Sequence, residues 1–150
     1  MKKPFVIGIY GHSNTGKTNL IADLIKHFKS KDLKVSSVKI SNKKTRFDTP
    51  KKDSYRHCEA GSELVVLSSG IETIFLMNKK QNISEIIKII SSLGDYDIVF
   101  VEGANDKITP KIKLGDIEER DNTIHTYFGD FLRLVNIITE QMNKRIDKNE

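Results

Sequence analysis

Apolar residues fall into two patterns along this chain. Short, nearly continuous apolar runs are typical of strands in a parallel sheet, and apolar residues at three- and four-residue spacing are typical of helices. Strands are predicted at 5–11, 34–40, 63–69, 73–78, 96–103 and 110–115. Helices are predicted at 17–29, 82–94 and 130–143, with a short one N-capped by Asp53 and closed by Gly61. This alternation predicts an α/β fold with a mainly parallel sheet flanked by helices.

The order of the first three elements makes the prediction more specific. Strand, helix and strand follow one another within residues 5–40, which indicates a βαβ unit with a right-handed crossover and a parallel pair. The last residues, 144–150, are expected to fray.

The turn between the first strand and the first helix reads GHSNTGKT (11–18), which fits G-x-x-x-x-G-K-[ST] in full. Such a turn points successive backbone N–H groups at an anion, and the helix N-terminus adds positive charge. Lys17 supplies an ammonium group for the β- and γ-phosphates, and Thr18 supplies a hydroxyl for Mg²⁺. The predicted phosphate-binding residues are Gly11, Ser13, Asn14, Thr15, Gly16, Lys17, Thr18 and Asn19. We therefore predict a P-loop NTPase-like fold, with residues 1–150 forming a single nucleotide-binding domain.

A second candidate lies at the end of the run YDIVFVEG (96–103). Ligands of parallel sheets gather at the carboxyl ends of the strands, where Glu102 stands. Its carboxylate can reach the magnesium shell or orient a water molecule. Thr18 and Glu102 are the predicted metal residues, and Lys17 and Glu102 the predicted catalytic residues. Asp97 begins the same strand, so we expect it to be too far away to be a ligand.

Charge and composition limit the partners. The formal net charge is +5, which favours anionic ligands, but the basic residues are not interleaved with aromatic ones as in single-strand nucleic-acid binding. No apolar run approaches the ~20 residues of a membrane span. The single cysteine, Cys58, excludes an internal disulfide and suits a reducing compartment. We expect a cytoplasmic protein that binds neither nucleic acid nor membrane.

A longer series of motifs is more specific than the phosphate loop. It reads V-K-I at 38–40, D-T-P at 48–50, D-S-Y-R-H at 53–57, E-A-G at 59–61, V-E-G at 101–103 and P-K-I at 110–112. In these motifs and in their order, from residue 5 to about 114, the chain resembles the MobB family of molybdopterin-guanine dinucleotide biosynthesis proteins. One departure concerns residues 40–44, ISNKK, where the family usually has histidines.

The resemblance implies a homodimeric P-loop protein that binds GTP with Mg²⁺ and hydrolyses GTP weakly. It also implies a partner, the MobA-type guanylyltransferase that joins GMP to the molybdopterin cofactor. By motif position, Gly16, Lys17 and Thr18 would hold the phosphates, and Glu102 would serve the magnesium site. Another block would lie near the nucleotide or the anionic cofactor; it comprises Asp53, Tyr55, Arg56 and His57.

Two other functions stay open on the residues alone. An ATP-dependent small-molecule kinase or ligase of the dethiobiotin-synthetase-like type would share the phosphate loop and V-E-G, although residues 115–130 carry only Arg120 where a lid rich in arginine is expected. The other open function is that of a nucleotide-gated binding module without any pterin connection. Residues 78–81, NKKQ, lack the aspartate of the N-K-x-D guanine motif. The preference for guanine therefore depends on the resemblance.

Overall fold

The structure is a computed structural model that describes residues 2–146. Four helices and seven strands follow one another along the described chain. In chain order they are β1 (Phe5–Tyr10), α1 (Lys17–Lys29), β2 (Val35–Lys39), α2 (Asp53–Glu59), β3 (Leu64–Ser68), β4 (Thr73–Met77), α3 (Ile83–Leu93), β5 (Ile98–Glu102), β6 (Lys111–Leu114), β7 (Thr123–Tyr127) and α4 (Phe131–Ile146).

Five strands form a parallel sheet in the order β2-β5-β1-β6-β7. The most apolar strand, β5, takes an inner position, and its residues 98–101 are fully buried. It lies between β1 and β2, so that Val99 pairs with Val6 on one side and with Ser36 on the other. The predicted direct pairing of the first two strands is therefore wrong, because β5 separates them.

Helices cover both faces of this sheet, as predicted. On one face, α1 and α4 bury Leu24, Phe28, Leu134 and Ile138 against a core that includes Phe100. On the other face, α3 contributes Ile87 to a smaller cluster with Val99, Val101 and Ala104. A sheet whose inner strands are covered on both sides explains why those strands are almost continuously apolar.

The chain divides into two compact units. The first comprises the five-stranded sheet with α1, α3 and α4, and the second is Asn42–Asn82. In the second unit, α2 packs against β3 of an antiparallel hairpin in which Leu64 pairs with Met77 and Val66 with Phe75. The single-domain assignment stays a prediction.

Local differences from the sequence analysis are small but informative. β7 was not predicted, because Thr123–Tyr127 reads TIHTY and has only one aliphatic residue. The predicted N-cap role of Asp53 is wrong, since Lys52 occupies the N-cap and Asp53 is the first helical residue. α4 continues through 144–146, where fraying was expected, and 147–150 lie outside the described residues. Within 2–146, no helix has the length and apolar character needed to cross a membrane.

Candidate functional site

The phosphate loop begins at a point where only glycine fits. A Cβ on Gly11 would lie 2.6 Å from the carbonyl oxygen of Leu114 and 3.0 Å from Thr15 Oγ1. The loop is therefore pressed against the end of β6 as it leaves β1. Thr15 Oγ1 also donates to the carbonyl oxygen of His12 at 2.7 Å, which closes the turn.

Two residues of the loop adopt left-handed backbone conformations. Asn14 has φ 62° and Gly16 has φ 88°, and Gly16 is the N-cap of α1. Because glycine has no side chain, the first amides of α1 receive no side-chain acceptor from this cap, and helix N-termini of this kind bind anions. The exposed residues of this stretch are His12, Ser13, Asn14, Thr15, Gly16, Thr18 and Asn19. The predicted phosphate-binding segment thus combines an open loop with a helix N-terminus.

Lys17 folds back over the loop that precedes it. Its Nζ donates to the carbonyl oxygens of Gly11 at 3.0 Å and His12 at 2.6 Å. The ammonium group therefore lies at the loop itself rather than in open solvent. From this position it can exchange these carbonyl acceptors for phosphate oxygens.

The predicted acidic partner meets the loop. Thr18 Oγ1 lies 3.2 and 3.3 Å from the two carboxylate oxygens of Glu102 and donates a hydrogen bond to that group. The register explains the meeting, because Glu102 pairs with Ile9 in the neighbouring strand. A hydroxyl and a carboxylate are the hard oxygen donors that Mg²⁺ prefers, and this cation usually keeps several waters and phosphate oxygens besides. The chemistry of this pair therefore fits magnesium.

The turn after Glu102 is sterically fixed. Gly103 has φ 83°, and a Cβ there would lie 2.8 Å from the carbonyl oxygen of Ile40. Its N–H donates to the carbonyl oxygen of Ile9 at 2.8 Å, and Ile40 N–H donates to that of Glu102 at 2.9 Å. Contacts from β1 and from the end of β2 thus hold the turn on two sides. Asp97, at the other end of β5, accepts from Lys34 N–H and pairs with Lys2. These contacts give Asp97 a structural role at the start of the strand.

The remaining predicted site residues belong to α2 in the second unit. Asp53, Arg56 and His57 are exposed there, whereas Ser54 and Cys58 are buried. The D-S-Y-R-H block therefore presents three polar side chains to solvent, whereas the Ser54 hydroxyl donates to Asp48 Oδ2 at 2.6 Å. A role for the exposed three in nucleotide or cofactor binding stays a prediction.

Arg46 organises the second unit, a role that the sequence analysis missed. Its guanidinium pairs with Glu59 at 3.1 Å, donates to Asn78 Oδ1 at 3.0 Å and lies 5.6 Å from the ring centroid of Tyr55. Asn78 also donates to the carbonyl oxygen of Cys58. The asparagine of NKKQ is thus used in internal contacts of this unit.

A cavity of about 480 Å³ opens in the same unit, and Asp48 lies in its wall. The hydrogen bond from the Ser54 hydroxyl is the main cause of a lowered pKa for Asp48, with further lowering by the Thr49 N–H and by the charges of Lys52 and Arg46, against the opposing effect of burial. Asp48 is therefore held as a carboxylate that fixes the start of α2.

A buried cation supports the first unit from within. Lys111 is 0% exposed, and its Nζ donates to the carbonyl oxygens of Asp106, Thr109 and Asp121. Burial lowers the pKa of Lys111, although the charges of Asp106 and Asp121 oppose that shift. Burial tends to raise the pKa of Asp106, but hydrogen bonds from Thr109 and Ile108 and the charge of Lys111 outweigh it and lower that pKa. Among residues 2–146, no cluster of three or more His, Cys, Asp or Glu side chains could hold a metal.

The sequence matches known proteins over most of its length. The family model described as MobB, molybdopterin guanine dinucleotide synthesis protein B, matches residues 6–139. An adapter protein of molybdopterin-guanine dinucleotide biosynthesis from Haemophilus influenzae is 32% identical over 112 residues, which is 73% of this chain and 62% of that protein. A protein from Methanocaldococcus jannaschii, provisionally named as the same kind of adapter, is 33% identical over 96 residues, or 64% of this chain and 38% of that protein. The alignments therefore span less than two thirds of either relative.

The fold matches solved structures. The crystal structure of Bacillus subtilis MobB superposes with a TM-score of 0.69 at 16% identity, over 91% of this chain and 96% of that one. The structure of a MobB homologue from Bacillus stearothermophilus gives a TM-score of 0.67 at 15% identity, over 93% and 98%. At these identities the likeness establishes the P-loop NTPase-like fold.

Proposed function

Because the chain belongs to the MobB family, we propose that it is a GTP-binding adapter protein in the synthesis of molybdopterin guanine dinucleotide. The two relatives with sequence similarity carry names of such adapters. Family membership favours this function over an ATP-dependent small-molecule kinase.

The observation that carries the proposal is the contact between Thr18 and Glu102 at the mouth of the phosphate loop. The loop amides and Lys17 would hold the triphosphate of GTP, and Thr18 and Glu102 would hold Mg²⁺. When bound, the cation would neutralise charge on the phosphate oxygens. This arrangement would bind a nucleoside triphosphate without supplying a strong catalytic group. We therefore expect slow GTP hydrolysis, roughly 10⁻⁴–10⁻³ s⁻¹.

The proposed partners follow from the adapter role. The guanylyltransferase that joins GMP to molybdopterin would recognise the GTP-loaded protein, and the exposed Asp53, Arg56 and His57 would contact nucleotide or cofactor. The buried Cys58 carries a free thiol, which suits the reducing cytoplasm we propose as its location.

A second copy of the chain is the proposed partner for the β3–β4 hairpin. One of its faces carries Leu64, Val66, Phe75 and Met77, which are 50%, 50%, 53% and 44% exposed. These residues are cross-strand neighbours, so they form a continuous apolar patch, and such patches mark interaction surfaces. Sedimentation of Phe75→Lys should show monomers where the parent chain is a dimer. A monomeric parent chain would contradict the proposed homodimer.

Calorimetric titration with GTP and with ATP, each with Mg²⁺, tests the nucleotide assignment. We expect tighter binding of GTP than of ATP. We expect Lys17→Ala to weaken GTP binding by about 10–150-fold, because a charge-assisted hydrogen bond contributes about 1.5–3 kcal/mol. Lys26→Ala removes the same charge from an exposed position of α1 and should leave the affinity unchanged. Equal GTP affinity in Lys17→Ala, or a preference for ATP, would refute the assignment.

The adapter role needs a separate experiment. The purified chain, loaded with GTP and Mg²⁺, should co-elute with a molybdopterin guanylyltransferase, and Lys17→Ala should not. Co-elution that is independent of nucleotide and equal in the two proteins would argue against a nucleotide-loaded adapter.

A further inference from the structure

Arg120 contacts the main chain directly behind the candidate magnesium site. It lies in the connection between β6 and β7, residues 115–122, and its Nη1 donates to the carbonyl oxygen of Ala104 at 2.8 Å and to that of Gly103 at 3.4 Å. These carbonyl groups belong to the two residues that follow Glu102. The guanidinium is therefore hydrogen-bonded to the turn that positions Glu102, the predicted metal ligand.

Arg120 also contacts Tyr10, at the end of the strand that leads into the phosphate loop. The guanidinium carbon lies 4.7 Å from the ring centroid of Tyr10, and the backbone N–H of Arg120 donates to Tyr10 Oη at 3.0 Å. Tyr10 is the last residue of β1 and immediately precedes Gly11. Arg120 thus joins the end of β1, which carries the phosphate loop, to the end of β5, which carries Glu102.

The chemistry of these contacts requires arginine in particular. A guanidinium is planar, so one face can stack on an aromatic ring while its N–H groups reach two neighbouring carbonyl oxygens. An ammonium group at the same place would keep the charge and could donate to a carbonyl oxygen, but it would lose the stacking on the Tyr10 ring. The turn is held on its other sides by Ile9 and Ile40, and Arg120 adds the contact on the carbonyl side.

We propose that Arg120 is a positioning residue that holds the Glu102–Ala104 turn so that the Glu102 carboxylate stays beside Thr18 for Mg²⁺. This inference rests on the proposed function. It assigns to Arg120 no contact with the phosphates, so binding of the triphosphate itself should not depend on this residue.

Two measurements on Arg120→Gln test the proposal. In the first, GTP affinity is measured in EDTA and the Mg²⁺ affinity of the GTP complex is measured by titration. We expect unchanged GTP affinity in EDTA and about tenfold weaker Mg²⁺ binding, the lower end of the loss seen when groups behind a metal ligand are removed. In the second, amide hydrogen exchange without nucleotide should be faster at Gly103 and Ile40. Arg133→Gln, which removes the same charge from an exposed position of α4, should change neither quantity.

Arg120→Lys serves as a second variant in case Arg120→Gln does not fold. It keeps the charge and N–H donors but loses the stacking on Tyr10, and we expect a smaller loss of Mg²⁺ affinity in the same direction. Wild-type Mg²⁺ affinity in Arg120→Lys would mean that the stacked guanidinium is not needed and would overturn the proposal. Equal Mg²⁺ affinity in Arg120→Gln and the parent chain would also overturn it. A parent chain that binds GTP equally with and without Mg²⁺ would instead overturn the proposed magnesium site itself, and with it the role of Arg120.

Discussion

Lys111→Met measures how much of the fold depends on one buried ammonium group. Methionine has a similar length and shape, so the substitution removes the charge and its donors with little change in volume. Three carbonyl oxygens, those of Asp106, Thr109 and Asp121, lose a donor. The carboxylate of Asp106, whose Oδ1 lies 3.9 Å from Nζ, loses the nearby positive charge.

The expected magnitude follows from these contacts. Leaving a buried acceptor without its donor costs about 1–3 kcal/mol. The hydrogen bond to Thr109 is buried and those to Asp106 and Asp121 are partly buried, so we take the lower end, about 3 kcal/mol for the three acceptors together. Removing one partner of a buried ion pair costs about 3–5 kcal/mol, because the other partner is left as an uncompensated charge. We therefore expect Lys111→Met to lower the free energy of unfolding by about 3–5 kcal/mol, and the melting temperature by roughly 6–20 °C.

Urea unfolding followed by far-ultraviolet circular dichroism checks this value, provided that the slope against urea is unchanged. Lys107→Met is the matched control, because Lys107 is exposed in the connection between β5 and β6, and such surface changes stay within about 0.5 kcal/mol. A loss below about 1 kcal/mol in Lys111→Met would refute the reasoning, since it would mean that water or a shifted loop readily replaces the ammonium.

Three further predictions concern the site and its surroundings. Gly103→Ala should cost about 2 kcal/mol or more in urea unfolding, because it combines a left-handed conformation with a Cβ placed 2.8 Å from the carbonyl oxygen of Ile40, whereas Gly70→Ala, with open space around it, should be neutral. Thr18→Val should weaken Mg²⁺ binding to the GTP complex by about tenfold, corresponding to ~1.4 kcal/mol, and leave GTP affinity in EDTA unchanged; an unaltered magnesium titration would contradict it. Burial lowers the pKa of His125 below the unfolded value of 6.5, so the unfolded chain binds this proton more tightly and stability falls as pH drops below 6.5. The urea midpoint of His125→Gln should therefore depend less on pH between about pH 7 and pH 5, and an equal dependence would refute this origin.

The sequence predicts the local structure of the proposed phosphate-binding segment well, because that segment is continuous in the chain. The loop, its glycines and its lysine lie within eight consecutive residues, and α1 has the predicted bounds, Lys17–Lys29. The proximity of Thr18 and Glu102 followed from a general property of parallel sheets, whose ligands gather at the carboxyl ends of strands. This rule places Glu102 at the same edge of the sheet as the loop, but it does not place β5 directly beside β1.

What the sequence did not predict depends on contacts between distant segments. The insertion of β5 between β1 and β2 depends on which strand best tolerates full burial, and a pattern read one strand at a time does not compare strands. Lys111 reads as an ordinary polar residue in a short strand, and only the folded chain brings three carbonyl oxygens around it. Arg120 was judged by its failure to form a lid, although its contacts lie 16 to 17 positions away at Gly103 and Ala104.

These differences have a consequence for how the site responds to change. The proposed phosphate binding depends on residues 11–18. The contact between Thr18 and Glu102, in contrast, joins positions 84 residues apart and requires β5 to lie beside β1. We therefore expect substitutions in β5, or behind it at Arg120, to act first on the position of the Glu102 carboxylate. If the proposed adapter signals through magnesium-bound GTP, substitutions that move Glu102 should alter that signal without abolishing nucleotide binding.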